Sequence, residues 1–580
     1  MKKYKVLILC VFVLITSNLV AQDLTQTIRG TVKDADTETP LPGATIMLLD
    51  VEPQKGTTTN NNGRFQLNDV TVGRHDIRIT YVGYKPKTFR NISVSSGKEL
   101  VLDVDLQEKV SEIDEVVVSA YRKDRPNNEM ASVSARSFTI EETDRYAGSW
   151  GDPSRMAQNY AGVVSAGDQR NDIIIRGNSP SRLLWRLEGV NIPNPNHFGA
   201  LGATGGPVSI LNNNVLSNSD FFTGAFPAEY GNALSGVFDL EMRNGNSSKR
   251  EYTGRIGFNG FELGAEGPFS DSSNASYLIN YRYSTLALVD KIGLDMGVGA
   301  VPEYQDVNFK INVPTKKGNF SMFGIGGLSH IVLGENRDDS DYSYNTPKGY
   351  RTKNGSDMGV AAVSYTHFFD QKTRLKNSLS VAGHRVATTI DSVFEDNKQT
   401  FYHENNKQWK MGWNSKLVKK FNAKNRLDIG LSIENYSVTY VDSTLKNWTN
   451  NDDEYIKQLN VDENNLLVTQ AYSQWQHHFT DSLTLYTGAH FQHFNLNDSW
   501  SLEPRASIEW KFRKDQSVSL GYGYHSKLPP FFLYFVRSHL GNQNYIQTNR
   551  DLEFSKSNQF VLSYNRRFTP NLRLKMEAYY

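Results

Sequence analysis

Beyond Arg250 the sequence alternates between apolar and polar side chains with a period of two, and this pattern limits the fold more than any other feature. Successive side chains of a β-strand point to opposite faces, so each such segment predicts a strand with one apolar and one polar face. The segment Ser501–Phe512 shows it best, and the others predict a large antiparallel sheet. Its apolar face comprises Leu502, Pro504, Ala506, Ile508, Trp510 and Phe512. The other clear segments are Tyr277–Tyr283, Val307–Val313, Leu427–Glu434 and Val518–Tyr524.

Two kinds of connection link these predicted strands. Short turns, such as Asp370–Thr373 and Arg513–Gln516, alternate mostly with longer segments, such as Asp442–Glu463. Short turns at one end and long loops at the other are typical of outer-membrane β-barrels. The alternation over 247–580 predicts roughly fifteen strands, fewer than the about 22 of plugged transporters. Because an odd number of strands cannot close with both ends on one side, we expect a partial transmembrane β-barrel, truncated at Tyr580.

The overall composition favours a barrel over a helical membrane protein. Aromatic residues make up 12 % of the chain, yet the mean hydropathy is negative. In a barrel strand apolar residues alternate with polar ones, so the mean hydropathy stays low although one face of the strand is apolar. Lys plus Arg number 63 against 62 Asp plus Glu, a net charge of +1, so the charge balance does not point to nucleic acid as a partner.

Residues 1–21 are predicted to be a signal peptide. Met1–Lys5 is basic, Val6–Ile15 is apolar but too short to span a membrane, and Leu19–Ala21 suits cleavage. The only cysteine, Cys10, lies in the apolar run. The mature protein is therefore expected to contain neither disulfides nor a catalytic thiol.

Residues 22–106 contain short β-rich runs separated by turns such as Pro40–Gly43 and Asn60–Gly63, which predicts an all-β sandwich. The segments Pro42–Ile46 and Tyr81–Tyr84 make this domain similar to the carboxypeptidase regulatory-like module. None of the twelve histidines has a glutamate three residues later, so the zinc ligand pair of carboxypeptidases is missing. We expect a packing module and not an enzyme. The predicted strands are Thr27–Lys33, Thr45–Leu49, Arg64–Leu67, Asp76–Tyr81 and Leu100–Leu106.

Two blocks in residues 126–246 carry the most specific motif. The first, Ile173–Gly189, predicts a strand, a turn at Arg176-Gly177 and a second strand. The second, Phe226–Met242, contains Ala-Glu-Tyr-Gly followed by a closing strand. Together they resemble the plug of TonB-dependent outer-membrane receptors, in which an Asp usually occupies the position of Glu188. The resemblance assigns structural roles in the plug to Arg176, Gly177, Glu188, Gly189, Glu229, Gly231 and Gly236.

This resemblance implies a mainly β protein with an N-terminal sandwich, a globular plug and an antiparallel barrel in the outer membrane. It implies active import of a scarce ligand (a siderophore, corrinoid, glycan or peptide), gated by a TonB-type energy-transducing protein. Outer-membrane lipid is a further partner, and a surface lipoprotein could be another; no cofactor is implied. The alternative is a receptor that binds ligand and signals to a periplasmic regulator, which the lack of a helix-rich domain before Glu115 disfavours.

The linker 107–125 holds one apolar island, Glu115–Ala120, between charged flanks. Its three consecutive valines favour an extended segment that can add as a strand to the sheet edge of a partner. In position it resembles a TonB box, and the alternative is one more strand of the sandwich. The predicted partner-binding residues are Glu115, Val116, Val117, Val118, Ser119 and Ala120.

Several plug side chains are candidates for specific contacts. Plug loops in the family rise toward the ligand, and residues 193–199 are too rich in Pro and Gly for regular structure. Arg176 is expected in the lumen, paired with a carboxylate such as Glu229, Glu503 or Glu509. Asp152 followed by Pro153 predicts the start of a helix. The candidate ligand contacts are Asn194, Asn196, His197 and Phe198.

No metal site is predicted. His477 and His478 are adjacent, and His490 and His493 are three residues apart, so on a strand the members of each pair face opposite ways. The acidic run Arg337–Asp341 is interpreted as a solvated loop, with Ca²⁺ binding as the alternative.

Overall fold

The computed structural model describes residues 24–110, 126–257, 260–270, 273–286, 288, 301–334, 349–394, 397–445, 455–541, 544–569 and 572–580. The chain divides into two compact units near residue 121. In these ranges no helix is long and apolar enough to cross a membrane. The predicted signal peptide 1–21, the box Glu115–Ala120 and the acidic run Arg337–Asp341 lie outside the described residues.

The first unit is a β-sandwich, as predicted. Its strands are β1 (Thr25–Asp34), β2 (Thr45–Leu48), β3 (Gly56–Thr58), β4 (Arg64–Thr71), β5 (Gly73–Thr80), β6 (Lys87–Val94), β7 (Leu100–Val101) and β8 (Val104–Leu106). One sheet has the order β4-β1-β7, with β8 also on β1, and the other has the order β3-β2-β5-β6. Ile28 and Phe65 from one sheet and Ile46 and Ile79 from the other share a buried core. The sequence pattern missed β3, which is very short, and β6, whose charged and apolar residues do not alternate.

Residues 126–246 form the plug segment, which contains short strands and helices. The helices are Ile140–Arg145 and Pro153–Ala157, with a 3-10 helix at Pro180–Arg182. Asp152 caps the second helix by accepting a hydrogen bond from the Ser154 nitrogen at 2.8 Å, and Pro153 is its first residue, as predicted. The strands are β9 (Ala135–Phe138), β10 (Val163–Ser165), β11 (Ile173–Ile175), β12 (Leu183–Leu187), β13 (Val190–Ile192), β14 (Asn196–His197), β15 (Val208–Ser209), β16 (Ser219–Phe222) and β17 (Gly236–Leu240).

A five-stranded sheet of order β13-β12-β17-β16-β9 lies at the centre of the plug segment. The two motif blocks meet here, because β12 and β17 pair in parallel with Leu183 opposite Gly236. Trp185 stacks on Phe238 with ring centroids 4.4 Å apart. A Cβ atom on Gly236 would lie 2.5 Å from the Phe222 carbonyl oxygen, so the close packing of this sheet requires glycine there.

The rest of the second unit is dominated by one antiparallel sheet of fifteen strands, here called the wall sheet. This number agrees with the count predicted from the alternation. Strands that are neighbours in the wall sheet follow one another along the chain, while β31 and β32 form a separate hairpin. The strands are β18 (Glu251–Gly257), β19 (Gly260–Pro268), β20 (Ser276–Tyr283), β21 (Glu303–Thr315), β22 (Gly318–Leu333), β23 (Tyr350–Asp370), β24 (Thr373–Phe394), β25 (Asn397–Asn422), β26 (Asn425–Leu445), β27 (Tyr455–His478), β28 (Leu483–Phe494), β29 (Ser499–Arg513), β30 (Gln516–Lys527), β31 (Ser538–Gly541), β32 (Asn544–Ile546), β33 (Ser555–Thr569) and β34 (Leu572–Tyr579).

At one end of the wall sheet most of the connections are short. Two-residue turns join β21 to β22, β23 to β24 and β25 to β26. Exposed aromatic rings lie beside or near several turns at this end, as in the aromatic girdle that outer-membrane barrels place at the membrane interface. These rings belong to Phe369, Phe421, Phe479 and Phe568.

The wall sheet is polar on its buried face and apolar on its exposed face, the reverse of a soluble sheet. On β21 the side chains of Asp306, Asn308 and Lys310 are buried, whereas the residues between them are partly exposed. Ile508, Leu520 and Leu562 are in register on three adjacent strands and are 37, 53 and 50 % exposed. Such an apolar band is suited to contact with lipid.

The wall sheet curls around the plug segment. Asn214 of the plug segment donates to Glu262 on β19 at 2.9 Å, and Arg176 pairs with Glu577 on β34 at 2.8 Å. Because β19 and β34 belong to opposite ends of the wall sheet, the plug segment lies in the hollow that the sheet encloses. The buried polar face of the wall sheet is therefore the face that surrounds the plug segment.

We expect Leu520→Arg to destabilise the protein in a bilayer. The substitution places a charge in the apolar band, at a cost of about 2–4 kcal/mol near the bilayer midplane. The measurement is the free energy of unfolding in lipid vesicles, titrated with denaturant. Leu540→Arg is the control, since Leu540 is 64 % exposed on β31, outside the wall sheet. Equal losses of stability in both variants would contradict a lipid-facing Leu520.

Candidate functional site

The contact between the plug segment and the wall sheet is the candidate functional site. One part is apolar, where Phe323, Ile325 and Met358 of the wall join the core of the plug segment. The other contacts include ion pairs and hydrogen bonds from charged side chains to backbone carbonyls. Such contacts are individually strong when water is excluded, but water can replace them one by one.

Glu188 anchors the plug segment on two wall strands. With Gly189 it forms the turn between β12 and β13, where the two residues have φ angles of +54° and +83°. The Glu188 carboxylate accepts hydrogen bonds from Lys310 Nζ at 2.8 Å and from the Met242 nitrogen at 2.7 Å. Its carbonyl oxygen accepts a third from Lys376 Nζ at 3.1 Å. The turn thus presents two oxygen acceptors to lysines of β21 and β24.

Glu229 is a second plug carboxylate held by the wall. Lys416 on β25 donates to its Oε2 atom, and the Asn128 side chain of the plug segment donates to Oε1. Burial alone would raise the pKa of Glu229, but the charges of Lys416 and Arg186 outweigh it and lower the pKa to about 2. Glu229 is therefore ionised at neutral pH and forms a full ion pair with the wall.

Arg176 connects the first motif block to β34. Its guanidinium lies 2.8 Å from Glu577 and over the ring of Tyr579, at 4.1 Å from the centroid. Arg176 and Gly177 have φ angles of +50° and +77°, so the turn that aims this side chain requires the left-handed conformation. The partner is Glu577, and not any of the three carboxylates that were named from sequence. In the structure Glu229 pairs with Lys416, Glu503 with Arg505 and Glu509 with Lys511.

The second motif block contacts the wall through its backbone. Arg505 on β29 donates to the carbonyl oxygens of Pro227 and Tyr230 at 2.5 and 2.7 Å. A Cβ atom on Gly231 would lie 2.0 Å from Nε2 of His490, so the wall approaches this backbone too closely for any other residue. The close approach of His490 explains why the motif has glycine at position 231, which the sequence alone does not explain.

The structure packs the four candidate ligand-contact residues against the plug segment and the wall sheet. Asn194, Asn196 and His197 are buried. Asn194 donates to the Gly205 carbonyl oxygen at 2.9 Å, and His197 lies 3.1 Å from Asp306 of the wall. The Phe198 nitrogen donates to Ser329 Oγ at 3.1 Å. Pro and Gly density correctly excluded long regular elements here, but it carries no information on which side chains the wall covers.

An aromatic cluster at the long-loop end, here called the aromatic cap, was not anticipated from sequence. Phe531 stacks on Phe494 with centroids 5.5 Å apart and meets Tyr436 edge-on at 4.8 Å. Phe532 packs against Gly202 of the plug segment, where an added Cβ would lie 2.9 Å from its ring. The run Phe-Phe-Leu-Tyr-Phe in an otherwise polar loop was the available signal. The cap comprises Tyr436, Phe494, Phe531, Phe532, Tyr534 and Phe535.

Within the described ranges no group of three or more His, Cys, Asp or Glu side chains could hold a metal ion. His477 and His478 have separate partners, Asn425 and Thr484. His490 contacts the Ala228 carbonyl oxygen of the plug segment at 2.7 Å. His477, His478 and His490 thus each have a hydrogen-bond partner of their own.

Comparisons with known proteins agree with this architecture. A model of the carboxypeptidase regulatory-like domain matches residues 27–107, and a model of the TonB dependent receptor-like beta-barrel matches residues 302–580. No curated protein sequence matches the chain.

Several solved structures share the fold. The siderophore receptor PirA from Acinetobacter baumannii is 14 % identical, with 77 % of this chain and 70 % of that chain covered and a TM-score of 0.55. A mutant of the ferric enterobactin receptor PfeA from Pseudomonas aeruginosa is 12 % identical, with coverages of 77 and 70 % and a TM-score of 0.55. For the outer membrane transporter YddB from Escherichia coli the identity is 12 %, the coverages are 77 and 68 %, and the TM-score is 0.54.

A wall sheet with an apolar outer face around a folded plug defines the class of plugged outer-membrane receptors. The chain belongs to the TonB-dependent receptor family and carries an N-terminal carboxypeptidase regulatory-like domain. It is therefore a protein of the outer membrane. The family match and the similar structures support a role in ligand import across that membrane. Receptors and transporters of this family are not enzymes, which confirms that expectation from sequence.

We expect Arg176→Ala to loosen the plug segment. The variant removes the cation beside Glu577, and breaking a buried pair costs about 3–5 kcal/mol. Lys575 remains 3.0 Å from Glu577, so the lower part of that range applies. The measurement is the leakage of a large antibiotic into cells that carry the variant. Arg170→Ala is the control, because that arginine pairs with Asp172 inside the plug segment. Equal leakage in both variants would show that the wall contact of Arg176 does not seal the barrel.

Proposed function

We propose that this protein imports a scarce extracellular ligand and that a periplasmic TonB-type energy transducer opens the plug. The observation that carries the proposal is the polar contact between plug segment and wall sheet, which water can replace bond by bond. Siderophores, corrinoids, glycans and peptides remain the candidate ligands. The first to test is a siderophore, because the similar structures include a siderophore receptor and a ferric enterobactin receptor.

The start of the plug segment offers a path for a mechanical pull. Asn127 and Asn128 follow the predicted box by only a few residues, and their backbone nitrogens both donate to the Asp220 carboxylate at 2.8 Å. The Asn128 side chain also donates to Glu229, which Lys416 of the wall holds. A pull on Glu115–Ala120 would reach these bonds first, so it would act on a wall anchor before it acted on the plug core.

The next element along the chain is suited to peeling. Strand β9 lies at the edge of the central plug sheet and pairs with β16. Just before it, the Ser134 nitrogen donates to Glu577 at 3.1 Å, the carboxylate that also holds Arg176. Drawing β9 away would break its hydrogen bonds in succession and remove the nitrogen and hydroxyl donors of Ser134 from Glu577. The parallel pair β12 and β17 at the sheet centre could stay folded meanwhile.

We expect Val117→Pro to abolish import while surface binding of ligand persists. Proline removes a backbone donor and fixes φ, which an added strand tolerates poorly. The measurement compares growth on a candidate siderophore as the iron source with binding of the same siderophore to whole cells.

The matched control is Val117→Ala, which keeps the backbone donor and its freedom. It should retain most of the import. Normal import by the Val117→Pro variant would place the box elsewhere in the chain.

A further inference from the structure

Several lysines of the wall sheet donate hydrogen bonds to oxygens of the plug segment. Other contacts run the other way, among them the ion pairs Arg176–Glu577 and Arg243–Glu266 and the hydrogen bond from Asn214 to Glu262. The lysine contacts are Lys310 with Glu188, Lys376 with the Glu188 carbonyl oxygen, Lys410 with the Asn191 carbonyl oxygen, Lys416 with Glu229, and Lys527 with the Leu183 carbonyl oxygen.

Two of these lysines face each other. Lys376 on β24 and Lys416 on β25 are directly opposite in the register of the wall sheet. Side chains at such positions have Cβ atoms about 4.5–5.5 Å apart, and like charges there are destabilising. In the closed state the plug segment compensates, because the Glu188 carbonyl oxygen lies on Lys376 and the Glu229 carboxylate lies on Lys416.

The wall itself offers these lysines little compensation. Asp428 is 3.8 Å from Lys416, but Arg426 already holds both of its oxygens at 2.8 Å. Lys410, by contrast, has its own wall partner in Glu434 at 2.7 Å. Lys310 donates to Glu188 and to the Met242 carbonyl oxygen, both in the plug segment. Movement of the plug would therefore strip acceptors from lysines on β21, β24 and β25 together.

We propose that Lys310, Lys376 and Lys416 form an anion-binding site of the lumen, which Glu188 and Glu229 occupy in the closed state and negatively charged cargo occupies during passage. Lysine ammonium groups are donors only, and carboxylate or phosphate oxygens are their natural acceptors. A neutral cargo would leave the three charges without partners. The inference rests on the proposed import function and narrows its cargo to anions.

The test uses the full-length protein in planar lipid bilayers. Glu188→Gln combined with Glu229→Gln removes both internal carboxylates and should give a conducting state. In a KCl gradient the reversal potential should move toward that of chloride, and citrate should block the current while neutral sucrose does not. Adding Lys376→Gln and Lys416→Gln should weaken the citrate block by about tenfold or more, since hydrogen bonds to charged groups are lost.

Two further variants control for loss of charge and of fold. Lys376→Arg with Lys416→Arg should keep the citrate block. Lys372→Gln with Lys424→Gln removes the same charge from exposed turns next to the same strands and should also keep it. If the Gln carboxylate variants conduct no current, calorimetric binding of citrate to them must show the same tenfold loss.

A citrate block that survives Lys376→Gln with Lys416→Gln, or equal block by citrate and sucrose, overturns the anion site. Either result leaves the import proposal intact. Failure of import itself would appear separately, as no growth on the candidate siderophore by cells that carry the unaltered protein.

Discussion

The polar inner face of the wall sheet is the constraint on which the rest of the second unit depends. A barrel wall must turn its apolar side chains toward lipid, so the alternate residues of every strand point into the hollow. Buried charges such as Asp306, Lys310 and Glu503 need partners there, because an unpaired buried charge is costly. The plug segment supplies many of these partners, and its fold is best understood as a set of acceptors and donors matched to the wall.

This constraint explains why the motif blocks consist of turns and glycines. The Arg176-Gly177 and Glu188-Gly189 turns both adopt left-handed backbone, and each carries a charged side chain that reaches the wall. Gly231 and Gly236 lack side chains where the backbone meets His490 or the neighbouring strand. The turns place charged side chains against the wall, and the glycines let the backbone approach it closely. Both features are needed for the plug segment to fit the wall sheet.

The same contacts are compatible with the proposed release of the plug segment. An apolar interface of this extent would resist separation, whereas ion pairs and carbonyl hydrogen bonds are replaced by water at modest net cost. Glu577 and Glu229 each receive a donor from the beginning of the plug segment, Ser134 and Asn128 respectively, as well as a cation. Wall anchors and the start of the plug are therefore coupled through shared carboxylates.

Local patterns in the sequence determined much of the architecture. Period-two alternation depends only on neighbouring residues, so it predicted the wall strands, their approximate number and the polar face. Turn residues predicted the sandwich and the helix after Asp152. In the sandwich, the sequence pattern did not predict short or irregular strands such as β3 and β6. These strands are stabilised by packing between the sheets and not by a pattern of their own.

Only the tertiary structure decided which charges meet. Arg176 and Glu577 are 401 residues apart in the chain, and nothing near either residue marks the other as its partner. His197 looked like a loop side chain but is buried against Asp306, because the wall covers that part of the plug segment. Ion pairs between distant strands depend on sheet register and curvature, which arise from the whole barrel. The sequence by itself determined where strands and turns form, and the curling of the wall sheet around the plug segment decided the contacts between them.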